Sequence, residues 1–128
     1  DQMYAILPPD YPAAGDSFPI EEFTGREFLM PYGRFDVDVL AAFAQHGVKP
    51  VIRPCRVDDE TVIRMVSKGL GMTMMAEMMI RGRTEGVKAL PIAPRTCREL
   101  GMGLQPRDDQ PESIRQLRKC VLEFIQEL

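Results

Sequence analysis

The loop Tyr32-Gly33-Arg34-Phe35 carries the side chain best suited to holding a small anion. It lies between an apolar, strand-like stretch, Glu27 to Met30, and a helical pattern that opens at Asp36. A guanidinium there can grip a carboxylate through two parallel hydrogen bonds, and the turn presents backbone N–H groups beside it. The plainer reading of Arg34 is a solvated loop arginine. Val57-Asp58-Asp59 holds the equivalent place ahead of a second helical pattern. Ligands in open parallel sheets sit where strands end and helices begin, so both loops are candidate binding segments.

Other chemistries are poorly served. Asp58 and Asp59 are adjacent acids at a helix start, which suits capping better than general acid–base work. His46, the only histidine, falls in the last turn of its helix, where a cation complements the dipole. Cys55, Cys97 and Cys120 are too scattered for a zinc site and odd in number, so they read as free thiols in a reducing compartment, the cytoplasm. Met72, Met74, Met75, Met78 and Met79 follow a strand-then-helix placement that fits core packing rather than metal binding. Gly69-Leu70-Gly71 comes after a helix and before a strand, the reverse of a dinucleotide loop. With no nucleophile–base constellation, the chain is not expected to be an enzyme and needs no cofactor or metal.

The elements that position these loops follow from periodicity. Asp58 or Asp59 caps a helix whose apolar face is Val62, Ile63, Val66 and Leu70, and Gly69 ends it in the left-handed conformation. Met72 to Met75 is a short buried strand, followed by a short helix from Ala76 to Ile80 that stops at Gly82. Upstream, Met3 to Leu7 is a strand ended by Pro8-Pro9, and Ser17 caps a turn through Pro19 to Phe23. Asp36 to His46 is a helix with Val37, Leu40, Phe43 and Ala44 inward, closed by Gly47. Val48 to Val57, interrupted by Pro50 and Pro54, suits an edge strand. Val87 to Ile92 is another strand, and Arg98 to Gln105 the last one. From Pro111 onward, Ile114, Leu117, Val121, Phe124 and Leu128 form one apolar stripe on a terminal helix. Strands alternating with helices over short connections predict an α/β fold with a mainly parallel sheet. Leu29, Met30, Leu40, Phe43, Ile63, Val66, Leu70 and Met74 are the expected core.

At 128 residues the chain suits one domain with a real core, and 45% hydrophobic against 27% charged residues is an ordinary globular balance. A net charge of −3 disfavours a nucleic-acid surface, which must replace the counterions around phosphate. No apolar run approaches the ~20 residues of a membrane span.

The acid-capped helix followed by VSKGLGMTMMAE resembles the V-a-a-G-l-G-i-a-l-l-P segment in the effector-binding domain of LysR-type transcriptional regulators. Val66, Gly69, Leu70, Gly71 and Met72 to Met75 fall on that pattern, with Ala76 in place of proline. LPPDYPAAG after the first strand resembles the family's crossing between subdomains, with Tyr11 replacing the usual histidine. The resemblance covers nearly the whole chain. It implies a type 2 periplasmic-binding-protein-like fold, of which residues 15–101 would be the complete second lobe. Residues 1–14 and 102–128 would be crossing strands and a remnant of the first lobe.

The function implied is ligand sensing. A small effector, which Arg34 would allow to be anionic, binds between the lobes and shifts their arrangement, and with it DNA-binding domains elsewhere in a homo-oligomer. Contacts are implied at Tyr32, Gly33, Arg34 and Phe35, at Val57, Asp58 and Asp59, and at the turn Gly71, Met72 and Thr73. DNA is reached only through a winged helix-turn-helix that this sequence lacks, and no membrane partner is implied. A lobe of a transport-type solute-binding protein is the alternative, and a small α/β enzyme ranks third. The three site stretches are expected on one edge of the sheet, and the terminal stripe is expected to pack on the lobe or on another copy.

Overall fold

The computed structural model describes residues 1–31, 36–104, 106 and 111–126. Strand β1 (Met3–Leu7) is followed by the short β2 (Phe18–Pro19) and a 3-10 turn, Ile20–Phe23. Pro19, not Ser17, stands at the cap of that turn, and no side chain caps it. Strand β3 (Glu27–Pro31), helix α1 (Asp36–His46), strand β4 (Val51–Cys55), helix α2 (Asp59–Ser67) and strand β5 (Thr73–Ala76) come next. The one-turn helix α3 (Glu77–Ile80), strand β6 (Lys88–Ala93) and helix α4 (Glu112–Gln126) complete the described elements.

Strands β2, β6, β1 and β5 form one sheet in that order, and β3 pairs in parallel with β4. The two are stitched together where Phe28 bridges Met72, just ahead of β5. The Leu29 N–H donates to the Met72 carbonyl (2.8 Å) and the Met72 N–H to the Glu27 carbonyl (3.0 Å). The joined order is β4-β3-β5-β1-β6-β2. Only β1 runs against the rest, antiparallel to both β5 and β6, so the sheet is mainly but not wholly parallel. Strand β4 lies at the edge, where Pro54 costs the sheet no interior hydrogen bond.

Side-chain alternation divides the core in two. Ala5, Leu7, Phe28, Met30, Met74 and Ala76 point to the α1 side, where they meet Val39, Ala42 and Phe43. Ile6, Leu29 and Met75 point the other way, to Val62, Ile63 and Val66 of α2. Helices therefore cover both faces.

Six of the eight expected core residues are buried, whereas Leu40 and Leu70 are 44% and 54% exposed. Helix α1 turns Val39, Ala42 and Phe43 inward and leaves Val37, Leu40 and Ala44 outside. Leu70 follows a Schellman end. Gly69 (φ +74°) donates to the Val66 carbonyl and Leu70 to the Met65 carbonyl, so Leu70 sits past the helix rather than on its buried face.

The expected last strand is also absent. Cys97 bridges Gln2 and the Arg98 N–H donates to the Asp1 carbonyl (2.9 Å), but residues 99–104 pair with no strand, and Gln105 lies outside the described residues. Gly101 and Gly103 weaken any strand that lacks a neighbour to supply ladder bonds.

At Gly71 the backbone of the β5 approach runs hard against β3. A Cβ there would stand 2.9 Å from the Glu27 carbonyl oxygen and 3.1 Å from Leu29 Cγ, whereas one at Gly101 meets nothing within 4 Å. Gly71→Ala is expected to destabilise the chain by about 1–3 kcal/mol through overpacking, with Gly101→Ala near neutral. Urea midpoints read the pair, and equal shifts would contradict this packing.

Candidate effector site

The carboxyl ends of β3 and β5 and the amino ends of α1 and α2 meet at one end of the sheet. Between them is a hollow of about 20 Å³, room for roughly one water molecule. Met30 and Pro31 come to it from β3, Met74, Met75 and Ala76 from β5, and Met79 from α3. Asp38 and Val39 enter from the first turn of α1, Asp59 from the first residue of α2, and Met3 and Arg98 close the rest. Because β1 runs antiparallel, its start, Met3, lies at the same end as the finish of β3 and β5.

Charge at this end is arranged by local rules. Asp58 caps α2, its carboxylate accepting the Thr61 N–H at 2.8 Å. That hydrogen bonding to Thr61 holds the Asp58 carboxyl below the usual carboxylate range. Arg98 is 9% exposed and the Asp1 carboxylate 3%. The guanidinium donates to Asp1 through Nε (2.9 Å) and Nη2 (2.7 Å). Asp1 Oδ1 also accepts the Met78 N–H at the start of α3 (3.1 Å), so this pair ties the two chain segments to the floor of the hollow.

The lowered Asp58 value sets a pH dependence. Its ionised form is favoured in the folded state, so its contribution is full above the unfolded pKa of ~3.9 and is lost as pH falls through the lowered folded value. Asp58→Asn keeps a capping oxygen without titrating. Thermal melts between neutral and acid pH should show Asp58→Ala less stable at neutral pH, and Asp58→Asn losing less of its neutral stability on acidification than the parent chain. An acid limb identical in parent and Asn variant would contradict this.

The structure brings together only part of the set read from the sequence. Val57, Asp58 and Asp59 follow the end of β4, and Asp59 lines the hollow while Val57 and Asp58 lie beside it, exposed. Tyr32, Gly33, Arg34 and Phe35 are outside the described residues. Gly71, Met72 and Thr73 stand at the start of β5, level with Glu27 and Phe28, and so at the opposite end of the strands from Pro31 and Ala76. Met72 and Thr73 are buried, and the Thr73 hydroxyl donates to the Leu29 carbonyl (2.8 Å). A turn that precedes a strand lies at its amino end, which makes these three residues part of the sheet's framework. Sequence reading missed Arg98, whose partner is 97 positions away, and took the methionines as core residues only.

A second feature borders α4. An open groove of about 840 Å³ runs between Phe124 and Ile125 on one side and Gln2, Met78, Arg81 and Leu100 on the other. The apolar stripe is not packed back on the lobe: Leu117 and Phe124 are 54% and 58% exposed, and Leu128 lies outside the described residues.

A doubly covered, mainly parallel sheet with one reversed strand and a hollow at its carboxyl end defines a type 2 periplasmic-binding-protein-like lobe. The family model for the LysR substrate binding domain matches residues 1–126, and the chain belongs to that family. It is 29% identical over 90 residues to the HTH-type transcriptional regulator CatR of Pseudomonas putida, covering 66% of this chain and 31% of CatR. Its fold is similar to the regulatory domain of CcmR from Synechocystis PCC6803, solved with 2-PG (TM-score 0.64, 21% identity, 74% of this chain and 48% of that one). It is equally similar to the effector-binding domain of BenM with its effector benzoate (TM-score 0.64, 17% identity, 75% and 48%). The chain thus spans about a third of CatR and just under half of each of these domains.

Proposed function

We infer that this chain forms one wall of an effector cleft in a transcriptional regulator. One observation carries the reading: the hollow at the carboxyl ends of β3 and β5 lies where α/β proteins receive ligands, in a chain of the LysR substrate binding domain family. At about 20 Å³ the hollow is far smaller than the ~300–1,000 Å³ of a ligand pocket, so it supplies the floor and a facing lobe supplies the rest. An effector that bridges the two surfaces better in one arrangement shifts the population toward it.

DNA contact in this reading belongs to a part of the protein other than residues 1–128, and the coupled protein works in the cytoplasm as a homo-oligomer. The uncovered stripe of α4 fits a surface that a first lobe or a second copy closes. Family membership favours this reading over a transport-type lobe, and over catalysis as well.

The test is metabolite capture. The full-length gene product, purified gently from its own host and examined by native mass spectrometry, should carry a small molecule. Met79→Trp, which fills the hollow, should lose it while keeping its melting temperature within a few degrees. Retention of the molecule by a folded Met79→Trp protein would overturn the placement of the site.

A further inference from the structure

The Arg98 guanidinium stands between the hollow and the two chain segments beside it. Its Nε and Nη2 both donate to Oδ2 of Asp1, at 2.9 and 2.7 Å. Nη1 instead reaches the Met79 sulfur, at 3.6 Å. The other Asp1 oxygen accepts the Met78 N–H. One buried ion pair therefore touches two successive residues of α3, and the second of them lines the hollow beside Arg98 itself.

Holding the segments together does not need this reach, because main-chain bonds already do so. The Met3 N–H donates to the Thr96 carbonyl (2.8 Å), the Arg98 N–H to the Asp1 carbonyl (2.9 Å) and the Glu77 N–H to the Gln2 carbonyl (2.8 Å). What the guanidinium adds is orientation. A methionine side chain has three rotatable bonds and adapts to its surroundings, and Met79 is only half-buried. A thioether is a weak acceptor. A rigid planar fork clamped by a buried carboxylate nevertheless offers it the Nη1 group at one fixed place.

Resting on the effector-site reading above, we propose that Arg98 is a positioning residue for the hollow: clamped by Asp1, it orients Met79 so that this side chain presents a fixed surface to the ligand. Lysine cannot take over this role. Its ammonium keeps the charge pair with Asp1, but it is a point charge on a flexible stem, without a second donor rigidly aimed at Met79.

The test uses the full-length gene product with its methionine methyls labelled for NMR, and Arg98→Lys as the variant. The pair with Asp1 is kept, so the melting temperature should stay within a few degrees and the Met78 amide should stay protected from exchange. The Met79 methyl signal should move, while that of Met72, at the opposite end of β5, stays in place. In native mass spectra, the fraction of protein carrying a copurified small molecule should fall at least tenfold from parent to variant.

An unmoved Met79 methyl in a folded Arg98→Lys protein would overturn the positioning role and leave the effector site standing. A moved methyl with undiminished occupancy would overturn the placement of the site, and the proposal with it. The parent protein decides the matter if the variant folds poorly. Nuclear Overhauser contacts between the Met79 methyl and the Arg98 side chain are expected there, and their absence would overturn the proposal.

Discussion

Replacing Phe23 with alanine should cost about 3–5 kcal/mol of stability. The residue is fully buried at the end of the 3-10 turn, and its ring meets three others: Phe18 at 4.8 Å, Phe28 at 5.3 Å and Phe43 at 5.5 Å between centroids. Phe28 and Phe43 are themselves in edge contact at 5.0 Å. The cluster joins β2, the 3-10 turn, β3 and α1, so a void at Phe23 loosens four elements together. Total stability in a domain of this size is of order 5–15 kcal/mol, and the substitution would remove a large share of it. Phe23→Leu should cost less, because it keeps most of the buried area and loses chiefly the ring geometry, about 0.5–1.5 kcal/mol per pair. A loss below about 1 kcal/mol for the alanine variant in urea unfolding would contradict this packing.

The second large effect is expected at the Asp1–Arg98 pair. Both side chains are nearly inaccessible, at 3% and 9% exposure, and they hold the start of the chain against the segment that follows β6. Arg98→Met leaves the Asp1 carboxylate buried without its counter-charge, which typically costs about 3–5 kcal/mol. Replacing both, with Asp1→Asn and Arg98→Met, removes the orphaned charge and should restore much of the loss. A double-mutant cycle measures this as a coupling energy. Additive single and double effects would show that the pair does not act as a unit.

Much of this fold is legible in the sequence because its signals are local. The Asp58 cap, the left-handed Gly69 and the span of α1 each depend on residues within a few positions of one another. What is decided at long range is not legible. Helix α1 is apolar nearly all round, with Val37, Val39, Leu40, Ala41, Ala42, Phe43 and Ala44, so periodicity offers two inward faces. The ring cluster of Phe23 and Phe28, contributed by other elements, selects the one with Phe43 and Val39.

The same division applies to the site. Asp59 is legible as a helix-start acid beyond a strand, and the structure sets it at the hollow. Gly71, Met72 and Thr73 look similar as a glycine turn beside a strand, yet their position before β5 carries them to the far end of the sheet. Arg98 gives no local signal at all, because nothing near it in sequence announces Asp1 as its partner. Of the five methionines read as core, Met72, Met74 and Met75 are buried and Met79 is half-buried, but Met78 is 50% exposed on the outer side of α3, and Met74, Met75 and Met79 also line the hollow.

The most direct measurement of the central claim is a crystal structure of the full-length gene product with its captured small molecule bound. That molecule is expected in contact with Met30, Asp59, Ala76 and Met79, roofed by a facing lobe. A molecule seated instead in the groove beside Leu100 and Phe124, with the hollow closed off by protein, would contradict it.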